Sequence, residues 1–275
     1  LFRSELVVLL FASIIFLGGV LSPPSLMDDM DAAQAQIARN MIESGNWVTM
    51  RLDGVLYLEK APLKYWLIAG SFAIFGVHDW AARLPIALAA IALCWVVARI
   101  GAWAFSERAG FYAGLMLATS AGLFLFTRVM IPDVMLTLAI ALAMWSFLRA
   151  LDGEEPRPGL WAIVLAASLA AGVLVKGLVG IVLPAGAAFF YLALARRLFD
   201  RRSWQRLRPV SGLLIFLAIA APWHVLATLQ NPPYFDFTLQ SEPGQYRGFF
   251  WFYFINEHVL RFLGRRYPRD YNTVP

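Results

Sequence analysis

Asp28, Asp29 and Asp31 place three carboxylates within four residues. Carboxylates this close repel one another, which raises the pKa of one of them toward the range of a general base for a hydroxyl or amine acceptor. A plainer role stays open, with Asp31 as N-cap of a following helix and its neighbours solvated. Glu59 and Lys60 stand just before Pro62. A lysine beside a helix N-terminus makes a phosphate site, and the alternative is a surface ion pair of little energetic weight. Asp133 follows Pro132 at the head of an apolar run, where a helix dipole favours a charged carboxylate. Lys176 interrupts a long apolar stretch, so it either snorkels or holds an anionic head group. Near the end, Asn256-Glu257-His258-Val259-Leu260-Arg261 sets His258 and Arg261 on one helical face. Glu59 and His258 are metal-ligand types, but two ligands are too few to define a metal.

These groups need a scaffold, and the composition names its class. Of the 275 residues, 60% are apolar and 15% charged, and the mean hydropathy is +0.64. A soluble domain carries about 25% charge. Apolar runs at 5–21, 84–105, 109–127, 132–151, 160–175, 177–195 and 210–228 predict an all-α, polytopic helical membrane protein with about seven spans in one membrane domain, 1–275. The single Cys94 excludes a disulfide framework. The net charge of +5 comes from basic residues between spans, which points to topology rather than to nucleic acid. Residues 196–208 carry the densest basic loop, and Arg3 precedes the first run. Both are placed in the cytoplasm, so 22–83 forms a long outer loop, and the unusual ionisable residues all fall on that outer side. Within the loop, 32–44 reads as a short amphipathic helix with Ala33, Ile37 and Met41 on one face. Residues 63–77 are too short for a comfortable crossing and read as a helix lying at the outer interface, anchored by Tyr65 and Trp66.

The combined pattern resembles a known family. The acidic cluster precedes Ile37-Ala38-Arg39-Asn40-Met41-Ile42-Glu43-Ser44-Gly45-Asn46-Trp47-Val48. Asp53-Gly54-Val55-Leu56-Tyr57-Leu58-Glu59-Lys60-Ala61-Pro62-Leu63 follows, then Tyr65-Trp66, Phe75-Gly76 and Arg83. Asp133, Lys176-Gly177 and Glu257-His258-Val259-Leu260-Arg261-Phe262 extend the likeness over almost the whole chain. This is similar to the first outer loop of the aminoarabinose transferases of lipid A and their bacterial relatives in the protein O-mannosyltransferase family, glycosyltransferases of the GT-C fold.

The resemblance implies the N-terminal half of a longer inner-membrane enzyme, without its soluble C-terminal domain. Such an enzyme takes a sugar from a polyprenyl-phosphate carrier on the periplasmic face and transfers it, with inversion, to a lipid, protein or glycan acceptor. It further implies Asp29 as the nearest match to the family base, with Asp28 and Asp31 as neighbours and Asp133 as the assisting acid. In ungapped register from Met41 the family aspartate falls on Met30 and its acidic partner on Asp31, so the spacing departs there. Lys60 and Arg261, with Lys176, match groups that hold the donor phosphate. Glu59 and His258 match positions that hold a zinc ion in some aminoarabinose transferases, which implies a divalent metal completed by a further ligand. The bottom-up chemistry agrees: a leaving phosphate needs cations, and the acceptor proton needs a carboxylate. The competing class is a secondary transporter, or a membrane protein that binds lipid without catalysis. Transporters place ionisable residues near the bilayer midplane, whereas here they sit near span ends.

Overall fold

The computed structural model describes residues 2–21, 25–26, 29–242 and 245–267, with Phe2, Arg3 and Asp29 described by backbone alone. Asp28 lies outside the described residues. The chain is a multi-pass helical membrane protein. Among the described residues, five helices are long and apolar enough to cross a bilayer. They are α1 (Phe2–Leu21), α4 (Asp79–Ala104), α7 (Asp133–Leu151), α8 (Pro158–Lys176) and α11 (Pro209–Gln230). The run expected at 109–127 forms a pair, α5 (Glu107–Ala118) and α6 (Ala121–Arg128), bent by 47°. The run at 177–195 becomes α9 (Val179–Leu194), whose 16 residues reach about 24 Å, short of a hydrocarbon core of about 30 Å. The short α10 (Arg201–Leu207) leads into α11.

Between α1 and α4 the chain folds α2 (Asp29–Ser44), a two-strand hairpin of β1 (Arg51–Leu52) and β2 (Val55–Leu56), and α3 (Leu63–Phe75). Ile37 and Met41 are buried on one face of α2, as the spacing predicts. Asp31 is the third residue of α2 and not its N-cap. Tyr65 is no interfacial anchor either: it is fully buried and its hydroxyl donates to Gln34. The Trp66 indole N–H donates to the Trp47 carbonyl, 2.8 Å away.

Small residues bring the helices together. Val8, Ala12, Phe16 and Val20 line one stripe of α1 and enter the main core with α4. A Cβ on Gly110 would stand 2.3 Å from the Ala98 carbonyl oxygen, so only glycine lets α5 approach α4 this closely.

The polar contacts segregate to the two ends of the bundle. At one end Arg83 meets Asp31 and Lys176 meets Asp133. At the other, Arg99 meets Glu5, Trp103 meets Asp152, and Arg206 donates to the Ala150 carbonyl. The 19 residues of α7 separate these ends by about 28 Å.

Candidate active site

After the helix-capping turns, a cavity of about 390 Å³ opens at the end of the bundle that holds Asp133. Five stretches converge on it: Met30 and Gln34 of α2, residues 59–61 with the first turn of α3, the head of α7, the foot of α8, and a π-helix, Trp251–Leu260, that continues α12 (Gly248–Phe250). Glu59, Lys60, Asp133, Lys176, His258 and Arg261, all expected from the sequence, line this one cavity. Asp31 does not. Its Oδ2 lies 2.8 Å from Arg83 Nη2 and its Oδ1 accepts from the Met130 N–H at 2.7 Å. Both side chains are almost wholly buried, so the pair ties α2 to α4 and to the linker that feeds α7. Asp29 begins α2, one residue before Met30.

Local rules explain the placement. Asp133 opens α7 and Lys176 closes α8, each at the helix end whose partial charge suits it. Their side chains meet at 2.7 Å and are each 39% exposed, so the pair stays accessible from the cavity. Gly177 turns the chain with φ 72°, and a Cβ there would lie 2.4 Å from His258 Nε2. Glycine therefore serves twice, in backbone conformation and in room for the imidazole. His258 Nδ1 donates to the Tyr253 carbonyl at 2.6 Å, which leaves Nε2 to accept from the Leu178 N–H at 3.3 Å.

The acids and cations on the other wall form a chain. Arg266 bridges Glu59 at 2.8 Å and Glu257 at 2.5 Å, and Glu257 also holds Arg261 at 3.0 Å. Lys60 stands 3.7 Å from Glu59, beyond a hydrogen bond. Lys60 and Arg261 keep exposed side chains, so both can meet an incoming anion.

Glu59 and His258 line the same cavity, and a divalent metal there would need further ligands to complete its shell. Among the described residues no three His, Cys, Asp or Glu side chains gather as a metal would need. The Glu59 carboxylate is engaged by Arg266, and both His258 nitrogens have partners.

Several site residues escape sequence reading. Lys64, in the first turn of α3, is 4% exposed, and its Nζ donates to Gln34 Oε1 at 2.5 Å and to the Met130 carbonyl at 3.1 Å. Burial, with Lys60 nearby, pushes its pKa down to about 7. Tyr253 lines the cavity, and its buried hydroxyl has no hydrogen-bond partner among the described residues. Arg266 joins the two glutamates. A lone lysine in an apolar run marked Lys176, and the same mark was present at Lys64.

A second cavity, about 440 Å³, lies toward the opposite end between α7, α8, α9, α10 and α11. Its lining, with Phe147, Leu165, Phe189 and Phe216, contains no titratable side chain, so the chemistry belongs to the first cavity.

The sequence and the fold are similar to those of known proteins. Over 243 residues the chain is 30% identical to undecaprenyl phosphate-alpha-4-amino-4-deoxy-L-arabinose arabinosyl transferase 1 of Proteus mirabilis (strain HI4320), covering 87% of this chain and 40% of that protein. The corresponding transferase of Aeromonas salmonicida (strain A449) is 30% identical over 234 residues, 83% of this chain and 39% of its own length. The chain thus spans about two-fifths of the curated relatives it matches. The crystal structure of ArnT from Cupriavidus metallidurans bound to undecaprenyl phosphate superimposes with a TM-score of 0.80 at 26% identity, over 93% of this chain and 44% of that one. The apo state of the same protein gives 0.77 at 27% identity, over 90% and 46%. The sequence profile described as dolichyl-phosphate-mannose-protein mannosyltransferase matches residues 59–225, more than half of the chain, and with it the site's Glu59, Lys60, Asp133 and Lys176; the chain belongs to that family of membrane glycosyltransferases.

Proposed function

We propose that this chain carries the donor site of a membrane glycosyltransferase. The enzyme takes a sugar from a polyprenyl-phosphate carrier and passes it, with inversion, to a lipid, protein or glycan acceptor at the periplasmic face of a bacterial inner membrane. One observation carries the reading. Lys60, Lys176, Arg261 and Asp133, separated by up to two hundred residues of sequence, line a single cavity at one end of the bundle. The relative bound to undecaprenyl phosphate supports the choice of carrier. The arginine-rich loop at the opposite end supports the orientation.

In the proposed reaction the acceptor oxygen attacks the anomeric carbon while the bond from that carbon to the phosphate oxygen breaks. The bonding pair leaves with the phosphate, and the acceptor proton passes to a carboxylate. Lys60, Lys176 and Arg261 offset the charge that grows on the leaving phosphate. Asp133, which lines the cavity, and Asp29, one residue before cavity-lining Met30, are the carboxylates that receive the proton in this reading. A transporter would instead hold its charges near mid-span. Here Asp133 and Lys176 stand at helix ends.

The test is transfer by the full-length protein in proteoliposomes, supplied with a polyprenyl-phosphate-linked sugar and with lipid A, peptide and glycan acceptors, read by mass spectrometry. A sugar-bearing acceptor and free polyprenyl phosphate are expected. Donor left intact with every acceptor, together with unchanged lipid-linked sugars and glycans in cells lacking the gene, would leave only the lipid-binding reading.

A further inference from the structure

Among the lysines and arginines that line the cavity, Lys64 is the one that the proposed reaction leaves unused. Its amine is buried at the cavity wall and, among the described residues, has no carboxylate at ion-pair distance. Its two partners, Gln34 Oε1 and the Met130 carbonyl, are both acceptors. A neutral amine has two N–H donors and one lone pair, whereas an ammonium has three donors. Two acceptors therefore satisfy the neutral form and leave its lone pair for a proton.

The Tyr65 ring, its centroid 4.7 Å from Nζ, favours a charge by cation–π attraction, but the rest of the surroundings oppose one in the absence of an anion. Lys64 stands in the first turn of α3, where the helix dipole disfavours a cation. Lys60 on the preceding loop and Lys176 at the foot of α8 repel it. Asp31 of α2 and Asp133 of α7 attract it, but Asp31 is committed to Arg83 and Asp133 to Lys176. Burial adds the largest penalty. The same features suit an anion. The N-terminus of a helix binds phosphate, and Tyr253, whose buried hydroxyl has no hydrogen-bond partner among the described residues, lines the same cavity.

Resting on the proposed donor site, we propose that Lys64 is a proton-coupled ligand of the donor phosphate: neutral in the empty cavity, it takes up one proton as the phosphate enters and turns the new N–H toward it. The incoming charge raises the proton affinity of the amine, so uptake accompanies binding wherever the pH lies between the free and bound values. The free value is about 7, so from pH 7.5 upward binding must bring a proton with it. Affinity then falls by about tenfold per pH unit until the bound value is reached. A phosphate monoester has its second pKa near 6 and is almost fully dianionic from pH 7.5 upward, so it does not mask this slope.

The probe is undecaprenyl phosphate, titrated calorimetrically into the full-length protein at pH 8 in buffers of different ionisation heat. Uptake of nearly one proton per lipid is expected, and zero uptake with binding intact overturns the proposal. Lys64→Met should abolish the uptake and flatten affinity between pH 7.5 and 9, while Lys64→Arg should bind with a flat profile at the tight end. A Lys64→Met protein with wild-type uptake removes Lys64 from the role and leaves the donor site standing. Failure of the wild-type protein to bind the lipid at any pH overturns the donor site itself and Lys64 with it. The wild-type proton count decides the matter even if a variant does not fold.

Discussion

Asp31→Asn separates a structural acid from a catalytic one. Asparagine keeps the shape of the side chain, and its Oδ1 can still accept from the Met130 N–H, which Asp31 holds at 2.7 Å. It removes the charge that faces Arg83 at 2.8 Å, where the two side chains are 5% and 2% exposed. Breaking a buried pair by deleting one partner costs about 3–5 kcal/mol, because the lost attraction no longer offsets the desolvation of the other group. Against a total stability of about 5–15 kcal/mol that loss is large. Thermal unfolding in detergent, followed by tryptophan fluorescence, should fall by roughly 10 °C. A companion variant that replaces both partners, Asp31→Leu with Arg83→Met, removes both charges together and should recover part of the loss. Transfer activity should track the folded fraction through this series. Wild-type stability in Asp31→Asn with transfer abolished would refute the reasoning and return Asp31 to the catalytic group.

The Asp133–Lys176 pair should behave in the opposite way. It is 39% exposed on each side, so Asp133→Asn should change stability by no more than about 1 kcal/mol yet lower transfer by at least about 100-fold; wild-type turnover would remove its acid role. Gly177→Ala must place a Cβ 2.4 Å from His258 Nε2 at a backbone φ of 72°. It should destabilise by about 1–2 kcal/mol, and an unchanged unfolding temperature would show that the turn relaxes freely. Topology can be mapped with a membrane-impermeant thiol reagent. A cysteine at exposed Asp53 should label in intact spheroplasts, and one at exposed Arg201 only after the membrane is opened. The reverse pattern would invert the orientation.

The parts of the fold that rest on local pattern were legible in the residues. The long spans announce themselves as apolar runs, and Ile37 and Met41 mark the buried face of α2. The cavity's Lys60, Asp133, Lys176, His258 and Arg261 stood out because ionisable groups beside apolar runs are rare. What escaped depends on contacts between segments distant in sequence. Asp31 looks like its acidic neighbours until Arg83, 52 residues away, is seen beside it. Tyr65 reads as an interfacial anchor, yet its neighbours from α2 bury it and accept its proton. Lys64 was hidden within the same short apolar helix, and its meaning comes from Gln34 and Met130. Arg266 lies in a charged stretch with nothing in its spacing to tell that it joins Glu59 to Glu257.

The most direct measurement is an experimental structure of the full-length protein with undecaprenyl phosphate. The account predicts the phosphate inside the cavity, with Lys60, Lys176 and Arg261 at charge-assisted hydrogen-bond distances of about 2.7–2.9 Å and Asp133 beside it. A phosphate held elsewhere, with these three cations untouched, would contradict it.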